Sequence, residues 1–267
     1  LLYSALFACN ELPPSNAKNS LTITPEKVLF LNQLDLLDTE QTIKRQLDSA
    51  NITNQDLIGF CQLSLDIDRK TTLIQIARSH IPNNLQEENH EYWAGILYDL
   101  RRFIENVSLL KQPQDKIFMD VGSGNGEKLY VSLCLGFEKA IGIEYSKDLV
   151  QIAQESLQDF EQNNQIQTIH QDAFKVPKEV YEKADFIYLY SPIKDNTMMA
   201  NLTFQIMQNM KDGAKLLEVR FVYRDELVRV SGLSIPHLAG LFALKKHNNK
   251  FYYAEYDHYQ TKWKILE

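Results

Sequence analysis

Cysteine is scarce in this 267-residue chain: Cys9, Cys61 and Cys134 are the three, odd in number and far apart. That spacing draws neither a zinc set nor a disulfide framework and fits a reducing compartment, so a cytoplasmic location is expected. The six histidines show no metal-ligand spacing, and no metal site is expected. Long apolar runs are also missing; none reaches the ~20 residues that a membrane-spanning helix needs. Positive charge is in deficit, with 28 Lys and Arg against 35 Asp and Glu and a formal net charge of -7. This excludes broad, sequence-independent binding to nucleic acid, although a local basic patch stays open. Glycine is sparse as well, ten residues in all, and three of those ten fall within five positions.

What remains is ordinary globular material, 44% hydrophobic and 24% charged, in a chain long enough to bury a sizeable core. The opening "LLYSALFAC" reads as a trimmed terminus or an apolar helix start. The alternative is the remnant of a signal-peptide core ending in a lipoprotein-type Cys9. Residues 1–20 form a terminal segment, closed by the linker-like "NELPPSNAKNS". Residues 21–112 read as helical. Thr24 and Pro25 mark one helix start, Asp38 with Gln41 has capping-box spacing, and Thr53 with Asp56 repeats it. The clearest helix is expected from about Glu91 to Leu110, with Trp93, Ile96, Leu97, Leu100, Phe103, Ile104 and Val107 on one stripe. Arg101 and Arg102 read as its solvated face.

After residue 112 strands alternate with helices. "KIFMDV", "KAIGIEY", "IQTIH", "ADFIYLY" and "AKLLEVRF" are strands, and "LFALKKHNNKFYYAEY" is a hairpin turning at Asn248 and Asn249. Strands separated by helices require parallel pairing through right-handed crossovers. The expected fold is therefore a doubly wound, Rossmann-like α/β domain over 113–267. Its sheet is expected to have seven strands, mostly parallel, with an antiparallel C-terminal hairpin.

The glycines stand where the first strand meets a helix, in Asp120-Val121-Gly122-Ser123-Gly124-Asn125-Gly126. In such sheets ligands bind at the carboxyl ends of the strands. Gly122 and Gly124 let the backbone turn and lie against a ligand, and Gly126 lets the helix pack closely on the strand. The pattern is G-x-G-x-G rather than the G-x-G-x-x-G of a dinucleotide site, and Asp120 would repel a pyrophosphate but hold an ammonium. Glu144, followed by Tyr145, ends the second strand and suits ribose hydroxyls. Asp172 ends the third and suits the adenine amino group, with the amide of Ala173 or Phe174 donating to the ring. Each acid alone has a plainer reading, Glu144 as a solvated strand end and Asp172 as a helix N-cap.

Together these residues resemble the core of a class I S-adenosylmethionine-dependent methyltransferase. Asp120 to Gly126 are similar to its glycine motif, Glu144 to its ribose acid and Asp172 to its adenine acid. The resemblance covers residues 115–221 and implies S-adenosyl-L-methionine as cofactor, S-adenosylhomocysteine as product, and a methyl acceptor as partner. Tyr190, with Ser191, lies where the methyl would emerge, though it reads equally as core. The long helix entering "FMDVGSGNG" resembles non-SET protein lysine methyltransferases, which favours a protein side chain or a small molecule over nucleic acid. Tyr92, off the apolar stripe, is placed as one wall of the site, and the earlier helices are expected to select the substrate.

The chain departs from the amino-group methyltransferases that carry an Asn/Asp-Pro-Pro-Tyr motif; here the fourth strand ends in "YSPIK". No catalytic base stands out. Other enzymes on the same core, an aminopropyltransferase or an NAD-dependent oxidoreductase, remain alternatives. So does a non-catalytic binding module.

Overall fold

A computed structural model describes residues 23–82, 99–238, 240–257 and 260–267. The expectations for residues 1–9, for Tyr92 and Trp93, and for the first half of the 91–110 helix lie outside the described residues.

The chain opens with four helices, α1 (Pro25–Gln33), α2 (Glu40–Ser49), α3 (Asn54–Leu63) and α4 (Ile67–Ala77). Each starts at a side-chain cap that satisfies an otherwise orphaned backbone N–H. Thr24 caps α1 as expected, and α3 has the full Thr53–Asp56 capping box. The α2 cap is Thr39 rather than Asp38: the Thr39 hydroxyl accepts from the Thr42 amide, while Asp38 lies one residue outside. After residue 98, α5 (Leu100–Leu110) buries Leu100, Phe103, Ile104, Val107 and Leu110, the expected stripe, and leaves Arg101 and Arg102 exposed.

The strands are β1 (Ile117–Val121), β2 (Lys139–Glu144), β3 (Ile166–His170), β4 (Phe186–Leu189) and β5 (Lys215–Phe221), followed by β6 (Gly240–His247), β7 (Lys250–Asp257) and β8 (Gln260–Ile265). Between them lie α6 (Glu127–Cys134), α7 (Lys147–Ser156), α8 (Gln158–Gln162), α9 (Lys178–Tyr181), α10 (Asn196–Asn209) and α11 (Arg224–Ser231). The strand order is β3-β2-β1-β4-β5-β6-β7-β8, with β1 to β5 parallel and the last three strands antiparallel. The doubly wound fold is as expected, but the sheet has eight strands instead of seven. The β6–β7 hairpin turns at Asn248 and Asn249, both at positive φ (51° and 57°), and "QTKWKI" then pairs on as the outer strand β8. The stretch read as one helix after β2 breaks at Leu157 into α7 and α8.

Side chains alternate across the sheet, so each face builds its own core. Met119, Val121, Ile187, Leu189 and Leu216 face α10 and α11. Phe118, Phe186, Tyr188 and Leu217 belong to the cluster that also takes Leu31, Ile58, Leu73, Phe103 and Ile104. The helical N-terminal region therefore shares a core with the sheet. Phe103 meets Tyr188 edge-to-face at 5.0 Å, and Phe118 lies against Phe137 at 5.3 Å. Truncating a buried ring such as Phe118 to alanine costs about 3–5 kcal/mol in such packing. Strand order reverses between β1 and β4, which opens the crevice at the carboxyl ends of those strands.

Candidate functional site

The turn from β1 into α6 holds all three motif glycines at positive φ: 81° at Gly122, 55° at Gly124 and 80° at Gly126. A Cβ at Gly122 would meet that of Pro192 at 2.7 Å, so this glycine is where the β1 and β4 ends touch. One at Gly126 would meet Leu157 Cδ1 at 2.8 Å and Ala153 Cβ at 3.0 Å. The close approach at Gly126 is thus to α7 and the residue after it, not to the strand as expected. At Gly124 nothing lies within 4 Å, and the backbone faces open space. Ser123 is buried, its hydroxyl turned toward Gly142 of β2, where an added Cβ would come within 2.6 Å.

The amides of this turn are already committed. Gly122 and Ser123 donate to the Ile143 carbonyl at 2.8 and 3.1 Å, Gly124 to Glu144 Oε2 at 2.8 Å, and Gly126 to the Ser123 carbonyl at 3.0 Å. A pyrophosphate cradle needs such amides aimed at the ligand. Four of the five residues from 122 to 126 spend theirs internally, which argues against a dinucleotide site.

Asp120, one residue before the end of β1, is 1% exposed, and neither carboxylate oxygen has a hydrogen-bond partner among the described residues. Lys128, on the first turn of α6, brings its Nζ to 3.7 Å from Asp120 Oδ2, beyond hydrogen-bond reach. Burial pushes the Asp120 carboxyl up to about 6; Lys128 moderates the shift and the nearby Glu144 charge adds to it. Glu144 accepts from the Gly124 amide and, through Oε1, from the Ser146 amide at 2.8 Å. A carboxylate has about four acceptor sites, so capacity for ribose hydroxyls remains beside these two bonds. Tyr145 follows with an exposed side chain, and its carbonyl contacts His170 Nε2 at 3.1 Å, tying the β2 and β3 ends.

Asp172 accepts from the Phe174 amide at 3.1 Å and approaches Lys175 Nζ at 3.3 Å, capping a short 3-10 turn. The N-cap reading is therefore realised, and the Phe174 amide is taken up by the Asp172 carboxylate. Tyr190 is half-buried, its ring stacked on that of Tyr188 at 6.5 Å. The structure thus gathers Asp120, the glycine turn, Glu144, Asp172 with Ala173, and Tyr190 at the ends of four adjacent strands.

Sequence reasoning missed two features of this end, Lys128, which nothing in "GEKLY" marks, and Glu218. Ser191, named with Tyr190 from the sequence, stands at φ 38° directly before Pro192, its hydroxyl within 3.3 Å of Glu218 Oε1 and 3.0 Å of the Arg220 carbonyl. Glu218 itself is fully buried, with Oε2 unpartnered, and burial pushes its carboxyl well above the usual range. The N-terminal helices also reach this end: Asn125 Nδ2 donates to the Pro82 carbonyl at 3.0 Å, and Arg78 pairs with Glu127. Among the described residues, no three His, Cys, Asp or Glu side chains gather to hold a metal, and no helix is long and apolar enough to cross a membrane.

A doubly wound sheet carrying this glycine turn has the architecture of the class I S-adenosylmethionine-dependent methyltransferases, and the protein is an enzyme of that class with S-adenosylmethionine as its cofactor. More narrowly, the chain belongs to the family of the histone methylation protein DOT1, whose model matches residues 97–235, more than half of it. No curated protein sequence matches the chain. Among solved structures it is similar to an RNA methyltransferase from Salinibacter ruber in complex with S-adenosyl-L-homocysteine, at 19% identity and a TM-score of 0.35, over 44% of this chain and 71% of that one. It is similar also to the B. subtilis tRNA methyltransferase TrmK, at 14% identity, 61% and 63% coverage and a TM-score of 0.40. A protein-L-isoaspartate O-methyltransferase matches at 17% identity, 80% and 64% coverage and a TM-score of 0.42. Likeness this distant concerns the fold and does not choose a substrate.

Proposed function

We propose that this enzyme methylates a protein side chain, an amine before any other group, with the cofactor lying across the ends of β1 to β4. The observation that carries the acceptor class is the match of residues 97–235 to a family described by histone methylation. The residues present fit the cofactor: Asp120 offers two unpartnered buried oxygens, suited to an ammonium, and Gly124 leaves open space beside them. Glu144 would take the ribose hydroxyls, Asp172 the adenine amino group, the Ala173 amide a ring nitrogen, and Tyr145 would cover the base.

When bound, the cofactor supplies an electrophilic methyl on a sulfonium. The chain's part is then to align the acceptor in line with that methyl and to exclude water, since positioning supplies much of the acceleration in such a displacement. Tyr190 and the Ser191–Pro192 turn would form the mouth through which the acceptor enters. The helical residues before 113 would select the acceptor, because Asn125 ties Pro82 of that region to the glycine turn.

The test is transfer of labelled methyl groups from S-adenosylmethionine into histones, total cell protein, RNA and small molecules. Label recovered on lysine in protein is expected. Label confined to RNA or to small molecules would overturn the acceptor class.

A further inference from the structure

Two residues with side chains adopt left-handed backbone at the ends of β4 and β5, and they meet. Ser191, directly after Tyr190, has φ 38°; Arg220, the extra residue of a bulge between Val219 and Phe221, has φ 60°. Such conformations cost energy outside glycine, and bulges and strained residues gather beside functional sites. One hydroxyl joins the two. Ser191 Oγ lies 3.0 Å from the Arg220 carbonyl, 3.2 Å from that of Val219 and 3.3 Å from Glu218 Oε1. Ser191 is 5% exposed and Glu218 0%. The β5 side of this latch is fixed by packing: Phe221 stacks on Phe242 at 4.6 Å, and Tyr223 shares a 2.7 Å bond with Thr203 of α10. On the other side Pro192 abuts Gly122, where an added Cβ would come within 2.7 Å of Pro192 Cβ. The turn that leaves β4 is thus held between the β5 bulge and the glycine turn.

We infer that Glu218 is a positioning residue for methyl transfer: through the Ser191 hydroxyl it clamps the β4 turn to β5 and so fixes Tyr190 and Pro192 at the mouth of the site. This rests on the reading of that turn as the entrance for the acceptor. Packing alone does not account for the glutamate. A buried carboxyl with one oxygen unpartnered among the described residues costs stability, and an apolar side chain would fill the same place without that penalty. Nor does the turn itself require serine, since glycine adopts φ 38° without strain. Glycine could not tie the turn to β5. In-line transfer is sensitive to misplacement on the scale of about 1 Å, and a tethered turn supplies that precision.

The test compares three readouts: the rate of labelled methyl transfer from S-adenosylmethionine into total cell extract, calorimetric binding of S-adenosylhomocysteine, and urea melts. Total extract offers protein, RNA and small-molecule acceptors together, so the rate does not depend on the acceptor class. Ser191→Gly is expected to slow transfer by about 10- to 100-fold, the range for a misplaced reacting group. Its S-adenosylhomocysteine affinity should be unchanged and its melting midpoint near that of wild type, because relief of backbone strain offsets the lost bonds. Glu218→Leu should slow transfer likewise, and Glu218→Gln, which keeps an acceptor facing Ser191, should recover most of that rate. Combining Ser191→Gly with Glu218→Leu should be no slower than the slower single change, since both break one latch. A Ser191→Gly enzyme as fast as wild type, or rates that merely follow melting midpoint or cofactor affinity across the variants, overturns the inference while the reading of the entrance stands. A wild type that transfers no methyl group to any fraction overturns both.

Discussion

The two ends of the parallel sheet treat buried charge in opposite ways. At the amino ends, Lys215 Nζ bonds Asp115 at 2.6 and 2.9 Å, and Asp115 also accepts from the Gln112 amide at 2.7 Å. Asp185, just before β4, takes the amides of Lys116 and Ile117 at 2.8 Å and pairs with Lys211 at 2.5 Å. Burial alone would raise its carboxyl, but these bonds win and hold it below the usual range. At the carboxyl ends, Asp120 is pushed up to about 6 with both oxygens orphaned, and Glu218 has one orphan. Left-handed backbone occurs at both ends, at Gly136, Asn164 and Gly213 ahead of β2, β3 and β5, and at Gly122, Gly124, Gly126, Ser191 and Arg220 on the carboxyl side. One end pairs its buried carboxylates; the other leaves carboxylate oxygens of Asp120 and Glu218 without hydrogen-bond partners among the described residues.

The sharpest break of that contrast is Asp115→Ala. It leaves Lys215 buried without its carboxylate and is expected to lower the unfolding free energy by about 3–5 kcal/mol in urea melts. A loss comparable to that of an exposed pair would erase the distinction between the ends. Glu144→Ala should cost about 1.5–3 kcal/mol of S-adenosylhomocysteine binding, measured by calorimetry, because charge-assisted bonds to ribose and the anchor of the Gly124 amide both go. Unchanged affinity would remove Glu144 from the site. Asp120→Asn should weaken the same ligand about tenfold or more while leaving the melting temperature level or higher, since an uncompensated buried charge is removed.

Acid sharpens the comparison further. The Asp120 carboxyl titrates at about 6 in the fold and at about 3.9 in the unfolded chain. Between those values the folded state holds more protons, so its contribution to stability grows as pH falls from about 6 to about 4. Asp185 runs the other way: its stabilisation is present above the unfolded value and is lost as pH drops below it. Cofactor affinity should weaken below about pH 6, because a neutral Asp120 no longer attracts the ammonium. Urea melts of Asp120→Asn beside wild type from pH 4 to 7 isolate this contribution, and parallel curves for the two proteins would refute it. The smallest effect expected is that of Glu138→Ala, which breaks an exposed pair with Lys116 (side chains 65% and 51% exposed) and should change stability by about 0.5 kcal/mol or less.

What the sequence shows is local. Glycines at fixed spacing after an apolar run, acids at strand ends and capping residues act on neighbours a few positions away, so β1 to β5 and the glycine turn were legible. What it hides depends on pairing across the chain. "QTKWKI" becomes β8 only because β7 offers it an edge, and Ser123 turns inward only because residue 142 of the neighbouring strand is glycine. Lys128 carries meaning through its distance from Asp120, and Glu218 through Ser191, 27 residues before it. The same holds for the helical region. Read as a separate segment ending near residue 112, it shares one core with β1, β4 and β5. A truncation at residue 85 would therefore strip apolar cover from the sheet as well as any substrate contacts.

That shared core also sets a timetable for synthesis. Leu31, Ile58 and Leu73 leave the ribosome long before Tyr188 and Leu217, residues of the cluster they are buried in. At roughly 5–20 residues per second, translation separates Leu31 from Leu217 by on the order of ten to forty seconds. For that interval the nascent helices carry an apolar stripe with no sheet to cover it. Chaperone occupancy of the growing chain should accordingly rise once α1 to α4 emerge and fall only after β5 is complete.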